Sequence, residues 1–316
     1  MKIMLFGKTG QVGSVLLPTL ASLGHVIAPS WREAQAGAIA DARPADNRND
    51  FWKADFRDPL RLYERTLADA PDIIVNAAAY TAVDEAEANE AAATLINAEA
   101  PAALARAAAE CGALLVHYST DYVFDGSGSR PWRETDIACP CNVYGRSKLA
   151  GEEAIMRSGC RHLIFRSSWI YGCEGDGFLQ HMMQLAMQRK TLSVVDDQYG
   201  APTHARLIAN VTVRAILQEC REPGRYGGLY HLAAAGETNW FDYACHIFAR
   251  MKCNGLELAL ERVSPIRSKD YGSLAVRPMN SRLCTRKITE VFQLSLPAWQ
   301  EDVNAAVDLL CHRLRK

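Results

Sequence analysis

The sequence shows no excess of charge of either sign, since 35 lysines and arginines stand against 36 aspartates and glutamates. A nucleic-acid-binding surface or an acidic interaction tail is therefore not indicated. No apolar run reaches the roughly 18 residues that a membrane-spanning helix needs. We accordingly expect neither a nucleic acid nor a membrane as a partner.

Metal-binding patterns are also lacking. None of the ten cysteines forms a C-x-x-C pair, and no histidine cluster flanks Cys139 and Cys141, so neither a structural zinc site nor another metal site is expected. The opening stretch MKIMLFGKTG passes directly from a strand into a glycine turn, unlike a signal peptide. We therefore predict a cytoplasmic protein with reduced, mostly buried thiols.

Apolar strands alternate with helical segments through the first half of the 316-residue chain, in which 49% of residues are hydrophobic. The predicted strands cover 2–7, 25–30, 51–55, 72–79, 113–120 and 162–171. The predicted helices cover about 11–23, 58–69 and 100–113, and a further helix opens near Asn142. This alternation predicts an α/β fold, a Rossmann-like doubly wound parallel sheet.

The pattern loosens after residue 172. Helices are predicted around 178–189, 204–219 and 239–251, and strands at 192–196 and 228–234, followed by a mixed tail. No Pro/Ser-rich linker separates the two parts, so we predict a dinucleotide-binding domain over 1–172 and a smaller, closely packed substrate-binding lobe over 173–316. Segments around 204–234 are expected to return to the first domain, and 31–50 is expected to be a surface insertion.

Three glycines, Gly7, Gly10 and Gly13, stand between the first strand and the first helix. Glycines at this place permit a tight turn and a close approach of the backbone to a pyrophosphate, and the helix N-terminus then offers free N–H groups. A strand before the triplet and a helix after it are the context that such a motif requires. The turn therefore predicts a bound dinucleotide.

The end of the second strand indicates which dinucleotide is used. A carboxylate there favours the free 2′-hydroxyl of NADH, whereas an arginine accommodates the 2′-phosphate of NADPH. This chain has Ser30 in place of an acid, with Arg32 two residues on and Lys8 in the glycine turn. We predict NADPH or NADH with a preference for NADPH; the alternative is that Arg32 belongs to the solvated insertion.

Tyr144 precedes Lys148 by four residues at the opening of a predicted helix, so the two share a helix face. On that face the ammonium is expected to lower the pKa of the phenol and allow proton transfer near neutral pH. The pattern alone also fits a surface pair. Thr120, at the end of a sheet strand, adds a hydroxyl at the edge where ligands of such sheets bind, and the three groups together suggest reduction of a carbonyl.

At this point the chain resembles the extended short-chain dehydrogenase/reductase family and, within it, the dTDP-4-dehydrorhamnose reductases. The motifs that carry the resemblance occur in order over nearly the whole chain: LFGKTGQVG, IIVNAAAYTAVDEAE, HYSTDYVFDG, PCNVYGRSKLAGE, LIFRSSWIYG, VVDDQYGAPT, LYHLAAAGETNWFDYA and RPMNSRL. The resemblance implies NAD(P)H-dependent reduction of the C4 ketone of dTDP-4-dehydro-L-rhamnose, the last step of dTDP-rhamnose synthesis for cell-surface polysaccharide. It makes Tyr144, Lys148 and Thr120 the expected catalytic residues.

The expected ligand contacts combine the residues above with those that the resemblance implies. The cofactor site then comprises Gly7, Gly10, Gln11, Val12, Gly13, Ser30, Arg32, Asp55, Phe56, Ala79, Tyr80, Thr81, Tyr118, Tyr144 and Lys148. The nucleotide-sugar site comprises Thr120, Asp121, Trp169, Gln198, Thr203 and Arg277. Other interpretations are that Trp169 belongs to the core, that Asp121 caps a turn, and that Arg277 is a surface ion-pair partner.

Departures from the family pattern leave alternatives open. Some members dimerise around a divalent metal held by carboxylates, but Val15 and Arg206 stand where acids are expected, so a homodimer bridged by metal is not favoured. A nucleotide-sugar dehydratase usually has Thr-Asp-Glu where this chain has Thr120-Asp121-Tyr122, which disfavours that activity. An epimerase, another nucleotide-sugar reductase and a non-catalytic, reductase-like regulatory subunit are the remaining alternatives.

Overall fold

The computed structural model describes residues 1–30 and 52–315. The predicted insertion at 31–50 and Arg32 within it lie outside the described residues. The strands are β1 Lys2–Phe6, β2 His25–Ile27, β3 Ile73–Asn76, β4 Leu114–Thr120, β5 Arg161–Ser167, β6 Ile170–Tyr171, β7 Thr191–Val195, β8 Tyr199–Gly200, β9 Thr203–His204, β10 Gly228–His231, β11 Thr238–Asn239 and β12 Arg262–Ile266.

The described α-helices lie between and after these strands. They are α1 Gln11–Leu20, α2 Pro59–Asp69, α3 Val83–Ala88, α4 Glu90–Thr94, α5 Ala100–Cys111, α6 Val143–Arg157, α7 Phe178–Gln188, α8 Ala205–Arg221, α9 Trp240–Cys253, α10 Ser268–Tyr271, α11 Arg286–Phe292 and α12 Trp299–Leu314. A π-helical turn, Leu95–Glu99, leads into α5, and a 3₁₀ turn, Asp121–Val123, follows β4. None of the described helices is long and apolar enough to cross a membrane.

Six parallel strands form the central sheet in the order β10-β5-β4-β3-β1-β2. All residues of β3 and β4 are buried, as expected for strands covered on both faces. The strand order runs outward from β1 in both directions. Because all six strands are parallel, the carboxyl ends of β1 and β4 lie at the same edge of the sheet. The predicted doubly wound parallel sheet is thereby confirmed.

Each face of the sheet has its own core, and a third core lies beyond it. One face packs Leu5, Val75 and Val116 against α1 and α8, and the other packs Met4, Ile74 and Leu115 against α2 and α5. The third cluster joins α7, α9 and α12 around the buried Tyr243. The late strand β10 pairs with β5, so a segment after residue 172 completes the sheet.

Several predicted strands are shorter than the sequence suggested. β2 ends at Ile27, and within the described part of 51–55 only Lys53 forms a β-bridge, a single parallel one to Ser30, so the prediction of a strand there is wrong. The predicted strand 162–171 breaks at Trp169, whose φ of 48° no extended strand can contain. The tail was predicted only as mixed; it contributes β12, which pairs in parallel with β7, and ends in α12.

Candidate active site

The glycine turn closes tightly between β1 and α1. Gly7 has φ of 81°, and a Cβ there would lie 2.5 Å from the carbonyl carbon of Ala77. A Cβ on Gly13 would lie 1.9 Å from the carbonyl oxygen of Gly7, so both positions require glycine. No side chain caps the N-terminus of α1 at Gly10, and its first turn carries no acid. The cradle and the uncapped helix end thus fit the pyrophosphate of a dinucleotide.

Other predicted cofactor residues surround this turn to different degrees. Gln11 extends its amide to the carbonyl of Asp176, and Val12 packs against the core. Asp55 is half-buried and pairs with Arg57, whose hydrogen bond lowers the pKa of that carboxyl, whereas Phe56 is buried against Phe6. The ring of Phe56 is therefore part of the core behind the site.

The loop after β3, which carries Ala79, Tyr80 and Thr81, is fixed by a residue that the sequence did not reveal. The side chain of Asn97 in the π-helical turn accepts from the N–H of Tyr80 at 2.8 Å and donates to its carbonyl at 3.0 Å. Asn97 also contacts the Ser147 hydroxyl on α6 at 3.0 Å. The loop and the helix that carries Tyr144 are thus held by one amide.

Helix α6 approaches the end of β4 closely. Asn142 caps its N-terminus by accepting from Gly145 N–H at 2.7 Å, and a Cβ on Gly145 would lie 2.1 Å from the carbonyl oxygen of Tyr122. This approach brings Tyr144 to the end of β4 that carries Thr120, and packs its ring against that of Tyr122 with the centroids 5.6 Å apart. The structure therefore brings the predicted catalytic residues Thr120 and Tyr144 together.

The pKa of the Tyr144 phenol lies far above neutral pH. Burial raises its pKa to about 12; the hydrogen bond from Thr120 opposes this rise, and the charge of Asp121 adds to it. The prediction that Lys148 lowers this pKa is wrong, because the lysine side chain is engaged elsewhere. Tyr144 consequently keeps its proton throughout the neutral range.

Lys148 is buried on the side of β4. Its Nζ donates to the carbonyl oxygen of Tyr118 at 2.6 Å and lies 3.3 Å from Nε2 of His117. Burial lowers the pKa of the amine to about 8, although the carboxylate of Glu152 opposes the shift. The side chain of Tyr118, a predicted cofactor residue, points instead into the core, where its hydroxyl meets that of Thr212 at 2.8 Å.

His117 is a further buried residue that the sequence argument missed. Ala78 N–H donates to Oδ1 of Asn76, so the amide NH₂ of Asn76 faces Nδ1 of His117 at 3.1 Å. Burial, and then the charge of Lys148, lower the pKa of His117 well below its usual value. The only sequence signal was a histidine after the apolar start of the strand LLVHYST.

Asp121 lies directly beyond Thr120 and is 2% exposed. Its Oδ1 accepts from the Thr120 hydroxyl at 3.2 Å. Its Oδ2 has no hydrogen-bond partner among the described residues. Burial raises the pKa of this carboxyl to about 7. A buried oxygen without a partner at this edge fits a group that contacts a ligand.

Arg277 and Gln198 line a cleft of about 440 Å³ together with Asp125, Ser268, Lys269 and Leu274, among others. The guanidinium of Arg277 pairs with Asp84 at 2.8 Å, and Asp84 also accepts from the N–H of Ala275 at 3.0 Å. Thr203 lies elsewhere, fully buried, with its hydroxyl donating to Ala201 O at 3.0 Å. Of the predicted substrate residues, Arg277 and Gln198 therefore line the cleft, whereas Thr203 is buried outside it.

Comparison with known proteins decides which family shares this arrangement. The family model described as the RmlD substrate binding domain matches residues 1–311. The dTDP-4-dehydrorhamnose reductase of Escherichia coli strain K12 is 46% identical over 310 residues, which cover 98% of each chain. This chain belongs to the dTDP-4-dehydrorhamnose reductase family. The predicted family is thereby confirmed.

Solved structures of the dTDP-4-dehydrorhamnose reductase family have the same fold. The Clostridium acetobutylicum enzyme superposes with a TM-score of 0.83 at 30% identity, covering 98% of this chain and 99% of its own. The Bacillus anthracis enzyme, solved in complex with NADP, gives a TM-score of 0.79 at 28% identity and coverages of 96% and 97%. The family likeness therefore extends over both the sheet and the later helices.

Proposed function

We propose that this chain reduces the C4 ketone of dTDP-4-dehydro-L-rhamnose to dTDP-L-rhamnose, the last step of dTDP-rhamnose synthesis. The observation that carries the proposal is the packing of α6, which bears Tyr144 and Lys148, against the end of β4 that bears Thr120, at the same sheet edge as the glycine turn. A nicotinamide dinucleotide, when bound, supplies the hydride. Glycines of the β1–α1 turn and Lys148 are the residues proposed to hold it.

Tyr144 is the proposed proton donor. With a pKa of about 12 the phenol is protonated at neutral pH, and it can pass its proton to an oxygen that becomes negative as the ketone is reduced. Thr120, whose hydroxyl donates to Asp121, is proposed to donate to the same substrate oxygen instead and hold it in position. Lys148, with a pKa of about 8, is mostly an ammonium at neutral pH and adds positive charge to the site.

The cleft beside Arg277 is the proposed place of the nucleotide-diphosphate part of the substrate. A diphosphate carries negative charge, and Arg277 and Lys269 supply positive charge at the cleft. Asp121 and Trp169, near the end of the neighbouring strands β4 and β5, are proposed to contact the sugar, with Gln198 and Thr203 supporting it. A bound diphosphate would share Arg277 with Asp84 and pair with Lys269, and it would have to lie away from the carboxylate of Asp125.

The cofactor is proposed to be NADPH or NADH, with NADPH used at least as well. Ser30 places no carboxylate where a 2′-phosphate would lie, and Lys8 reaches the carbonyl of Ala28 at 2.7 Å close by. The ratio of kcat/KM for NADPH and NADH tests this preference. An Arg32→Ala variant with an unchanged ratio would remove Arg32 from the cofactor site.

The division of the chain, its compartment and its assembly remain proposals. We propose a dinucleotide-binding part formed by 1–172 with the returning segments around 204–234, and a lobe formed mainly by the rest of 173–316. The proposed compartment is the cytoplasm. A homodimer without a bridging metal is the proposed assembly, which the solution mass with and without a chelator tests.

Turnover with the 4-ketosugar nucleotide separates the proposed reductase from its alternatives. A reductase consumes one NADPH for each product alcohol, whereas an epimerase or a dehydratase consumes none overall, because each regenerates its cofactor. A regulatory subunit would bind the dinucleotide without turnover. Product analysis by mass together with NADPH consumption therefore distinguishes the three classes, and cofactor binding without NADPH consumption would overturn the proposal.

A further inference from the structure

Trp169 has a backbone conformation that its type of side chain rarely adopts. Its φ is 48°, and among the described residues only Ala70 and Gln293 share a positive φ without being glycine. Such a conformation in a bulky residue is disfavoured and occurs where surrounding contacts enforce it, often at functional sites. Trp169 lies two residues beyond Ser167, the partner of Thr120 in the sheet. Its indole is therefore fixed close to the catalytic edge.

Gly200 provides the space that this indole occupies. A Cβ on Gly200 would lie 2.8 Å from Cε2 and 3.1 Å from Cδ2 of Trp169, so any larger residue would displace the ring. No positive φ is needed at Gly200, so the requirement for glycine comes from the ring alone. This accounts for the glycine of the VVDDQYGAPT motif.

Trp240 contacts the same ring by stacking. The two ring centroids are 3.8 Å apart with an interplanar angle of 18°. Pairing of β8 with β11, in which Gly200 lies opposite Thr238, places the start of α9 and hence Trp240 beside the Trp169 ring. Trp240 and Gly200 thus reach one indole through adjacent strands.

The stacked pair is joined to the wall of the cleft by hydrogen bonds. Nε1–H of Trp240 donates to Oε1 of Gln198 at 3.1 Å, and Nε2 of Gln198 donates to the Ser268 hydroxyl at 2.9 Å. The Ser268 hydroxyl donates in turn to Asp197 at 2.5 Å. Since Gln198 and Ser268 line the cleft, one network connects it with the Trp169 indole.

We infer that Gly200 and Trp240 are positioning residues that hold the Trp169 indole as a fixed wall of the sugar site, and that they thereby determine which 4-ketosugars are reduced. The inference rests on the proposed function in that the ligand is a nucleotide sugar. A flat, immobile ring can pack against one arrangement of sugar C–H and methyl groups, whereas a mobile ring adapts to several. Neither residue is expected to touch the reacting carbon.

Three substitutions test this role: Trp240→Leu removes the stack, Trp240→Phe keeps an aromatic ring, and Gly200→Ala displaces the indole. Far-UV circular dichroism reports the pair directly, because two stacked indoles give an exciton couplet. We expect Trp240→Leu to abolish the couplet and raise the KM for the ketosugar about tenfold with a smaller change in kcat. Trp240→Phe also loses the couplet but is expected to retain the KM, and the KM for NADPH stays constant in all variants.

Specificity is measured as the ratio of kcat/KM for dTDP-4-dehydro-L-rhamnose and for its isomer inverted at C3 and C5. We expect Trp240→Leu and Gly200→Ala to reduce this ratio. Trp299→Phe, in a tryptophan that packs on Tyr243, and Gly227→Ala, where the nearest atom to a Cβ is 3.4 Å away, are the matched controls and should keep it.

A double-mutant cycle shows whether Trp240 acts through Trp169. Adding Trp240→Leu to Trp169→Leu should cause little further loss, because the aromatic ring to be positioned is already gone. Equal losses in both backgrounds, or an unchanged ratio in Trp240→Leu despite loss of the couplet, would overturn the inference. If the wild type reduced no ketosugar, the proposed function would fail, and the affinity for dTDP-L-rhamnose in the same variants would decide the positioning role by itself.

Discussion

Tyr144 and Lys148 share a face of α6, yet their environments shift both groups towards their uncharged forms. Burial raises the pKa of the phenol to about 12 and lowers that of the amine to about 8. The phenol therefore remains a proton donor at any physiological pH, and the amine is the group whose charge changes near neutrality. Loss of activity on the alkaline side is thus expected to follow Lys148.

Replacing Tyr144 by Phe removes the proposed proton donor and leaves the ring that packs on Tyr122. We expect NADPH binding to be retained and kcat to fall by about 10²–10⁴-fold, the usual contribution of general acid catalysis. Fluorescence titration with NADPH and steady-state rates measure the two effects. Turnover near that of the wild type would exclude Tyr144 as the donor.

Replacing Lys148 by Met keeps the length of the side chain and removes its charge. We expect weaker NADPH binding and slower turnover, because the ammonium is proposed to serve the cofactor as well as the reaction. In the wild type the ammonium is lost as pH rises through about 8, so NADPH affinity should fall above that pH. The variant should lack this pH dependence, and a variant that retained it would point to another group.

Asp121→Asn tests the cost of a buried carboxylate. The pKa of Asp121 rises from 3.8 to about 7 in the folded state, so folding favours the protonated carboxyl. The protein is therefore most stable, with respect to this group, below pH 4, and this stability is lost as pH rises to about 7. Above pH 7 the variant is expected to be more stable than the wild type, by up to about 4 kcal/mol, while its turnover falls. Urea unfolding at pH 5 and pH 8 measures this difference; an equal gain at both pH values would contradict it.

Residue types and spacing predicted the fold and the family reaction, and the roles of the site residues stay predictions; the contacts around those residues were not predictable. Tyr144, Lys148 and Thr120 are recognisable because proton transfer restricts which side chains can serve. His117, Asn97 and the partners of Lys148 depend on the distance between elements far apart in the chain, which local sequence does not encode. The error in the pKa of Tyr144 arose there, since helical spacing alone suggested that the ammonium meets the phenol.

The glycine turn after β1 and the first residues of α1 are packed together. The carbonyl of Gly7 accepts from the N–H of Gly10 at 3.0 Å, and the backbone of Gly13 packs directly on that carbonyl. The helix N-terminus is thereby aimed at the space beyond the sheet edge. The turn requires glycine at Gly7 and Gly13, where a side chain would clash, whereas Gly10 is exposed to solvent.

A pair of substitutions separates the fold of this turn from its binding role. Gly13→Ala would place a methyl group 1.9 Å from the Gly7 oxygen, so we expect a loss of about 1–3 kcal/mol in stability together with cofactor affinity. Gly10→Ala meets its nearest atom at 3.5 Å and should retain its melting temperature while weakening cofactor binding. Equal stability of both variants would show that the turn can adapt.

Element boundaries were predictable where one local signal ended them and not elsewhere. Gly112, in the left-handed conformation, ends α5 close to where the sequence indicated. The break at Trp169 was not predictable, because a left-handed aromatic residue is enforced by Gly200 and Trp240, both distant in sequence. Pairing of β12 with β7 is likewise set by tertiary packing across some 70 residues.

At the scale of the whole molecule, the sheet is assembled from distant parts of the chain. β10 covers the edge of β5, and α8 packs against α1, so the core on that face mixes Leu163 and Phe165 with Ile208 and Ile216. The dinucleotide site, which lies at the edge of this sheet, therefore depends on β10 and α8, both of which follow residue 172.

A fragment comprising residues 1–172 is expected not to fold by itself. It would leave β5 unpaired and expose the face of the sheet that α8 covers, which a small core cannot offset. We expect a fragment of this length to lack a cooperative thermal transition and to aggregate, whereas residues 1–311 should melt as the full chain does. A cooperative, monomeric fragment that binds NADPH would contradict this expectation.

The position of β10 late in the chain delays completion of the sheet during synthesis. β5 ends at Ser167 and β10 begins at Gly228, so about 60 residues must be added before the sheet edge can close. At roughly 5–20 residues per second, the nascent chain presents an open, apolar strand edge for about 3–12 s. During that interval the unpaired edge can pair with other chains, so we expect the yield of folded protein to depend on that delay as well as on the stability of the finished enzyme.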